Sequence, residues 1–272
     1  MYMTLLRWMS AALLIFAAAR VAFATPAMEP WEVWHRSDET RAASIDHSAW
    51  QELLTLYLDD RHPSGIARFD YARVDPDHVR LLDIYLEQLA ALDPRQFTRD
   101  EQRAYWINLY NALTVRLILQ HYPVRSVIRL GGWYRLGPWD LELVEVAGHR
   151  LSLNDIEHRI LRPFWRDPRL HYALNNGSLG SPNLAAEAFT AQNSERLLDQ
   201  GARGYINHPR GVDFEKGQLV LSKLYDWFPA DFGGEAGLLQ HLAAYAEPEL
   251  ARRLASFEGG VRYRFDWDLN EP

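Results

Sequence analysis

Residues 98–123 read "TRDEQRAYWINLYNALTVRLILQHYP", and this stretch decides the fold. Thr98 and Glu101 have the spacing of a capping box, in which each side chain can satisfy the other's free backbone N–H. Trp106, Tyr110 and Leu113 recur at three- and four-residue steps, the period of a helix with an apolar face. Pro123 cannot continue a helix, so the pattern stops there. The spacing therefore predicts one long helix. Asn108 and Asn111 sit three apart on one of its faces. Asparagine is a poor helix-interior residue because its amide competes for the backbone. Two of them on a mostly apolar helix need partners. Either they bond the backbone of a neighbouring loop, or they orient a ligand or a catalytic imidazole.

Upstream the pattern is also helical. In "SAWQELLTLYLDD" (48–60), Trp50, Leu53, Leu54, Tyr57 and Leu58 form one face. "DPDHVRLLDIYLEQLAALDP" (75–94) predicts a second helix bounded by Pro76 and Pro94. Between them, "RHPSGIARFDYARV" (61–74) reads as a break and a short extended segment. Downstream the style changes. "SVIRLGGWYRLGPWD" (126–140) is a glycine-aromatic loop. "LELVEVAGHRLSL" (141–153) and "GVDFEKGQLVLSKL" (211–224) read as hairpins. "SLNDIEHRILRPFW" (152–165) and "TAQNSERLLDQGARGYIN" (190–207) read as helices, the first capped by Ser152 or Asn154. Short helices over 235–246 and 248–255 and a strand in "VRYRFDWDL" (261–269) close the chain. Helices first, hairpins later and no βαβ alternation predict a single α+β domain with antiparallel strands.

Polar residues concentrate in two places. In "NDIEHRILRP", His158 and Arg162 are four apart and share a face, beside Glu157. Asp155, three before His158, can accept its ring N–H and so support a general base. An exposed, salt-bridged helix accounts for the same residues. The second place is "HYALNNGSLGSPNL" (171–184). Pro182 can open a helix with Ser181 as its N-cap. Gly177 and Gly180 would let nearby backbone N–H groups face a shared concavity suited to an anion or oxyanion. Ser178 and Ser181 are candidate nucleophiles, with His158 or His171 as base. The G-x-S-x-G elbow is absent. A strand, a tight turn and a cap explain the loop equally by backbone geometry. His149, His158 and His171 make no HxxxH or HExxH pair, so no metal is predicted, nor any cofactor.

Composition narrows the partners. The 272 residues carry a net charge of −7 and contain no basic run, which excludes nucleic acid as an expected partner. The absence of cysteine excludes thiolate nucleophiles, cysteine-ligated zinc and disulfides. The 10 Trp and 13 Tyr point to a large core and its rim, or to an aromatic platform for flat ligands. Residues 1–24 have a positive start at Arg7, an apolar run and Ala22-Phe23-Ala24, the pattern of a cleaved signal peptide. The apolar run is too short to span a bilayer, so no stable membrane anchor is expected after cleavage. A periplasmic or secreted location follows. Residues 25–43 read as an exposed lead-in and 44–272 as the folded domain.

The blocks "YWINLYNALTV", "LSLNDIEHRILRP", "DPRLHYALNNGSLGSPNL" and "LSKLYDWFPADF" together resemble the DUF547 family of uncharacterised domains, over a core from about Gly65 to Phe232. The family's loop usually resembles "HFALNCASxGCPxL". Asn176 and Ser181 stand here where that pattern has cysteines, and an amide cannot replace a thiolate. The resemblance implies one polar pocket built from the matched residues Asn108, Asn111, Asp155, Glu157, His158, Arg162, His171, Ser178, Lys223 and Asp226, with Asn175 and Asn176 from the loop. Three functions fit. The chain is a module whose pocket binds a small polar ligand or an envelope partner. It is an envelope hydrolase or transferase acting on an acyl or amide bond through a Ser/His site. Or it is a structural domain whose polar residues staple loops.

Overall fold

Asp75 accepts a hydrogen bond from the Asp77 N–H, and Pro76 at the first helical position needs no donor partner. Local signals of this kind set the three N-terminal helices in the computed structural model, which describes residues 27–131 and 137–272. They are α1 (Ser48–Tyr57), α2 (Pro76–Ala91) and α3 (Arg99–His121). Two-residue strands β1 (Leu58–Asp59) and β2 (Arg68–Phe69) pair antiparallel between α1 and α2. The signal peptide read at 1–24 lies outside the described residues, as does 132–136 of the glycine-aromatic loop.

α3 is buried almost all round, the mark of a helix at the centre of a core. Its N-terminus keeps only half of the expected capping box. Thr98 Oγ1 accepts from the Glu101 N–H at 3.3 Å, but the Glu101 carboxylate turns away to accept the N–H of Ile45 at 3.1 Å. That backbone N–H would otherwise be buried without a partner. The segment read as an exposed lead-in is also not all exposed. Trp34, in the 3₁₀ turn Glu32–His35, is fully buried and meets Trp106 edge-on at 5.1 Å and His149 at 5.3 Å. Removing an indole from water is worth about 2–3 kcal/mol, enough to hold this arm down.

Beyond α3 the strands are short. β3 (Val144–Val146) and β4 (His149–Leu151) form a hairpin with Val144 opposite Leu151. Ala147 (φ 47°) and Gly148 (φ 81°) make its tight turn, which needs positive φ at both central positions. The next helix differs from expectation. It runs as a π-helix over Asp155–Leu161 and tightens into α4 (Arg162–Trp165). Its start is a capping box: Ser152 N–H and Oγ–H donate to Asp155 Oδ2 at 2.9 and 2.7 Å, and Ser152 Oγ accepts from Asp155 N–H.

α5 (Ser194–Ile206) follows, then the hairpin β5 (Val212–Glu215) and β6 (Gln218–Ser222), α6 (Lys223–Trp227), α7 (Gly234–Tyr245) and α8 (Pro248–Ala255). β7 (Val261–Arg264) then lies parallel to β6, Leu219 opposite Val261. The expected hairpins are antiparallel, and β7 adds one parallel pairing because α6–α8 form a crossover long enough to return the chain in the same direction. The fold is α+β: helices dominate and the sheets are small. Its apolar residues form two clusters, one around α3 and one around α5, β6 and α7.

Candidate functional site

A cavity of about 220 Å³ opens at the seam of the two clusters, with Leu174 from the first and Leu224 and Phe228 from the second in its wall. Its floor is the π-helix. The wider π turn presents two consecutive residues, Glu157 and His158, to the cavity, beside His171 from the 3₁₀ turn Pro168–Tyr172. π turns recur at functional sites for this reason.

Behind the floor lies a buried charge network. Arg162 grips Asp231 with two parallel bonds, Nε to Oδ2 at 2.6 Å and Nη2 to Oδ1 at 2.9 Å. The same carboxylate receives His171 Nε2 at 2.7 Å. On the other side of that imidazole, Nδ1 stands 3.7 Å from Glu157 Oε1. Phe228 stacks on His171 at 4.3 Å, and the Arg162 guanidinium lies over the same ring at 4.6 Å. Burial works against the charge on His171, yet Asp231 and Glu157 outweigh it and raise its pKa, which favours the imidazolium. Burial likewise opposes ionisation of Asp231, but His171 and Arg162 hold its carboxyl well below the usual carboxylate range. Glu157 also stays below its ordinary value despite burial, through the positive groups around it. Arg162 and His171 thus stand against two carboxylates, Asp231 and Glu157, in one buried network.

His158 is different. Its Nδ1 is 3.0 Å from Arg162 Nη1. Burial lowers its pKa, and the positive Arg162 and His171 add to this against Glu157. It is a neutral ring on the cavity floor, only 3 % exposed. Above it, burial pushes the Tyr110 phenol well above its ordinary value, and the Glu157 carboxylate adds to the shift. Aromatic residues make the walls, among them Trp139 and Phe265.

The loop 171–184 contributes shape. Asn111, on α3, donates to Ala173 O at 2.9 Å and accepts the Asn175 N–H at 2.9 Å. Asn108 does the same for Phe189, donating to its carbonyl and accepting its N–H. Both asparagines on α3 are thus loop staples, the first of the two roles their spacing allowed. Asn175 accepts the Gly177 N–H and donates to Pro182 O. Asn176 Oδ1 accepts from Ser178 N–H and Oγ–H, and Asn176 N–H donates to Ser181 Oγ. Leu179 and Gly180 donate to the carbonyls of Asp268 and Asp266 in the C-terminal tail, and Ser181 N–H to Ser178 O. Every backbone N–H from Asn175 to Ser181 is therefore spent inside the protein. No oxyanion cradle is left, and no helix starts at Pro182; the next begins at Ser194.

Other expectations need correction too. Among the described residues neither Ser178 nor Ser181 bonds a histidine: Ser178 is fully buried against Asn176, while Ser181 lines the cavity as an acceptor. Asp155 does not support His158. Its carboxylate is used by Ser152 and Arg159, and the π turn carries His158 to Arg162 instead. Lys223 and Asp226 open α6 but do not line the cavity. Glu157, His158, His171 and Asn176 do come together there, with Arg162 directly behind. Asp231 was missed as a residue although the block "LSKLYDWFPADF" contains it; a lone Asp after Pro229 in a sequence carries no sign that it sits under a helix about 70 residues earlier. Among the described residues no group of three His, Cys, Asp or Glu side chains is arranged to hold a metal ion.

No curated protein and no solved structure matches this chain. A family model does, over residues 94–206: DUF547, described as a protein of unknown function. The match takes in α3, the π-helix and the loop 171–184 and stops short of Asp231. Over those residues the chain is similar to DUF547 domains.

Proposed function

We propose that the protein is a binding module whose cavity takes a small polar ligand, and that it works outside the cytoplasm. The observation that carries the first part is the cavity floor. Glu157 and His158 face an opening walled by aromatic rings, with their charge balanced by groups behind them. Such a mix of apolar wall and few fixed polar groups is typical of ligand sites. The leader-like pattern of residues 1–24 supports the second part.

The Ser/His hydrolase reading has less behind it. It needs a serine within reach of a basic imidazole and donors free for an oxyanion. Both nitrogens of His171 face carboxylates, the serines bond Asn176, and the loop N–H groups are occupied.

A thermal-shift screen with small polar fragments tests the binding reading. Hits raise the melting temperature of the parent protein and lose that effect in Trp139→Ala, which opens the wall but leaves the Arg162–Asp231 pair in place. A library that gives no shift in the parent contradicts it.

A further inference from the structure

We infer that Arg162 fixes His158 in the tautomer with its proton on Nε2, so that the cavity floor offers a donor at His158 and an acceptor at Glu157 to a secondary amide. The inference rests on the binding reading above and names the ligand class for the same cavity.

Arginine carries only donors. With Arg162 Nη1 at 3.0 Å, His158 Nδ1 must therefore be the bare, accepting nitrogen. The guanidinium cannot turn to relax this, because Nε and Nη2 are both bonded to Asp231. A proton on His158 Nδ1 would face an N–H head-on. The single proton of the neutral ring is then on Nε2, which has no partner among the described residues and belongs to a ring that is buried yet lines the cavity.

Asn176 adds a second donor. Its Oδ1 is occupied by the two bonds from Ser178, which leaves its amide N–H₂ for the cavity that it lines. Two carboxylates line the cavity among the described residues: Glu157 on the floor, and the exposed Asp140, which accepts from Asn154 Nδ2 at 2.7 Å; Asp231 is covered by Arg162 and His171. No Lys or Arg lines the cavity among the described residues, and both nitrogens of His171 face carboxylates. An anion would meet Asp140 and Glu157 with no Lys or Arg in the described lining to offset them. A cation would leave the N–H groups of His158 and Asn176 facing it without an acceptor. What remains is a neutral group with an acceptor beside a donor. A carbonyl oxygen has two lone pairs for His158 and Asn176, and an adjoining N–H can reach Glu157. The cavity volume of about 220 Å³ lies below the range for drug-sized ligands, so it suits one amide unit with a short substituent. Peptides and N-acetylated sugars both carry that unit.

The test is ¹⁵N NMR of the histidines in the full chain, with probes added. At pH 7 His158 is expected to show a protonated Nε2 and an unprotonated Nδ1. N-methylacetamide is expected to shift the His158 Nε2 resonance saturably, and methyl acetate, which lacks the N–H, to bind about tenfold more weakly. Ethylene glycol serves as the hydroxyl control and is expected to match the ester. N-acetylglycine N-methylamide and N-acetylglucosamine then separate a peptide from a sugar source, the tighter one naming it. Arg162→Gln is expected to bring both His158 tautomers into view, and the parent spectrum decides the matter even if that variant does not fold. A proton on Nδ1, an imidazolium at pH 7, or equal affinity for amide and ester overturns the inference. If no amide binds while the fragment screen still gives cavity hits, the inference falls and the binding reading stands. If the screen is silent as well, both fall.

Discussion

Arg162 and Asp231 are 69 residues apart and joined by two parallel hydrogen bonds at 2.6 and 2.9 Å, beneath the cavity floor. The pair ties the start of α4, directly after the π-helix, to the segment after α6 and so joins the two apolar clusters. A third bond, from His171, makes Asp231 the hub. Removing one partner of such a network leaves buried charge without compensation. Asp231→Ala is expected to lower unfolding stability by about 3 kcal/mol, read from urea denaturation. A loss no larger than that of an exposed Asp variant would mean the network is slack.

Buried histidines set the acid side of a pH profile, His47 and His241 most strongly, with His158 in the same direction. Burial lowers His47 to about 4 from 6.5. A depressed folded value means its stabilising effect is full above pH 6.5 and is lost as pH falls toward 4. The loss from this residue is on the order of 3 kcal/mol. Asp231 acts in the same direction at lower pH, below about 3.8, as its own depressed value is approached. His171 has the opposite sign. Its raised value gives stability that is present below 6.5 and fades as pH climbs through the folded value. Stability against pH is therefore expected to fall from 6.5 to 4, and His47→Gln to make that limb shallower, with His241 and His158 keeping the remainder. An unchanged limb in the variant would assign the loss to other groups.

Asn111 is the staple that holds the loop on α3. Asn111→Leu keeps the branching of the side chain and strands the Ala173 carbonyl and the Asn175 N–H, at a cost of about 2–3 kcal/mol. Chemical denaturation reads the cost, and faster hydrogen exchange across 173–181 is expected to go with it. Loss of stability without faster exchange in the loop would place the role elsewhere.

Gly177 cannot carry a side chain without strain. Its φ is +80°, and a Cβ there would lie 2.4 Å from Ile118 Cδ1. Gly177→Ala is expected to cost about 1–3 kcal/mol, measured by thermal or urea unfolding. A neutral result would show that the loop can move away from α3.

Ser178 and Ser181 are expected to be inert toward serine-reactive fluorophosphonate probes, with intact-mass spectrometry showing no adduct. Ser178→Ala removes a bond of 2.5 Å to Asn176 and is expected to cost about 1 kcal/mol without changing ligand binding. A stoichiometric adduct on either serine would restore the hydrolase reading.

Helix periodicity made α1, α2 and α3 legible from sequence, and the Ala147-Gly148 and Lys216-Gly217 turns made both hairpins legible, because these depend on neighbours in the chain. The π turn was not, since the sequence that caps it, Ser152 to Asp155, also caps an ordinary helix. Reading Asp155 as the partner of His158 assumed ordinary helical spacing and failed for that reason. The glycines in the loop were read as freeing N–H groups. Instead Asp266 and Asp268, from the far end of the chain, take those of Gly180 and Leu179. The hub Asp231 and the parallel β7 are likewise products of long-range closure, on which local pattern is silent.

Crystallographic soaking with small amides tests the central claim most directly. The account predicts density for the ligand in the cavity between Trp139 and Phe228, its carbonyl oxygen within hydrogen-bond distance of His158 Nε2. Amides absent from the cavity at saturating concentration, or bound there with no contact to His158 or Glu157, would contradict it.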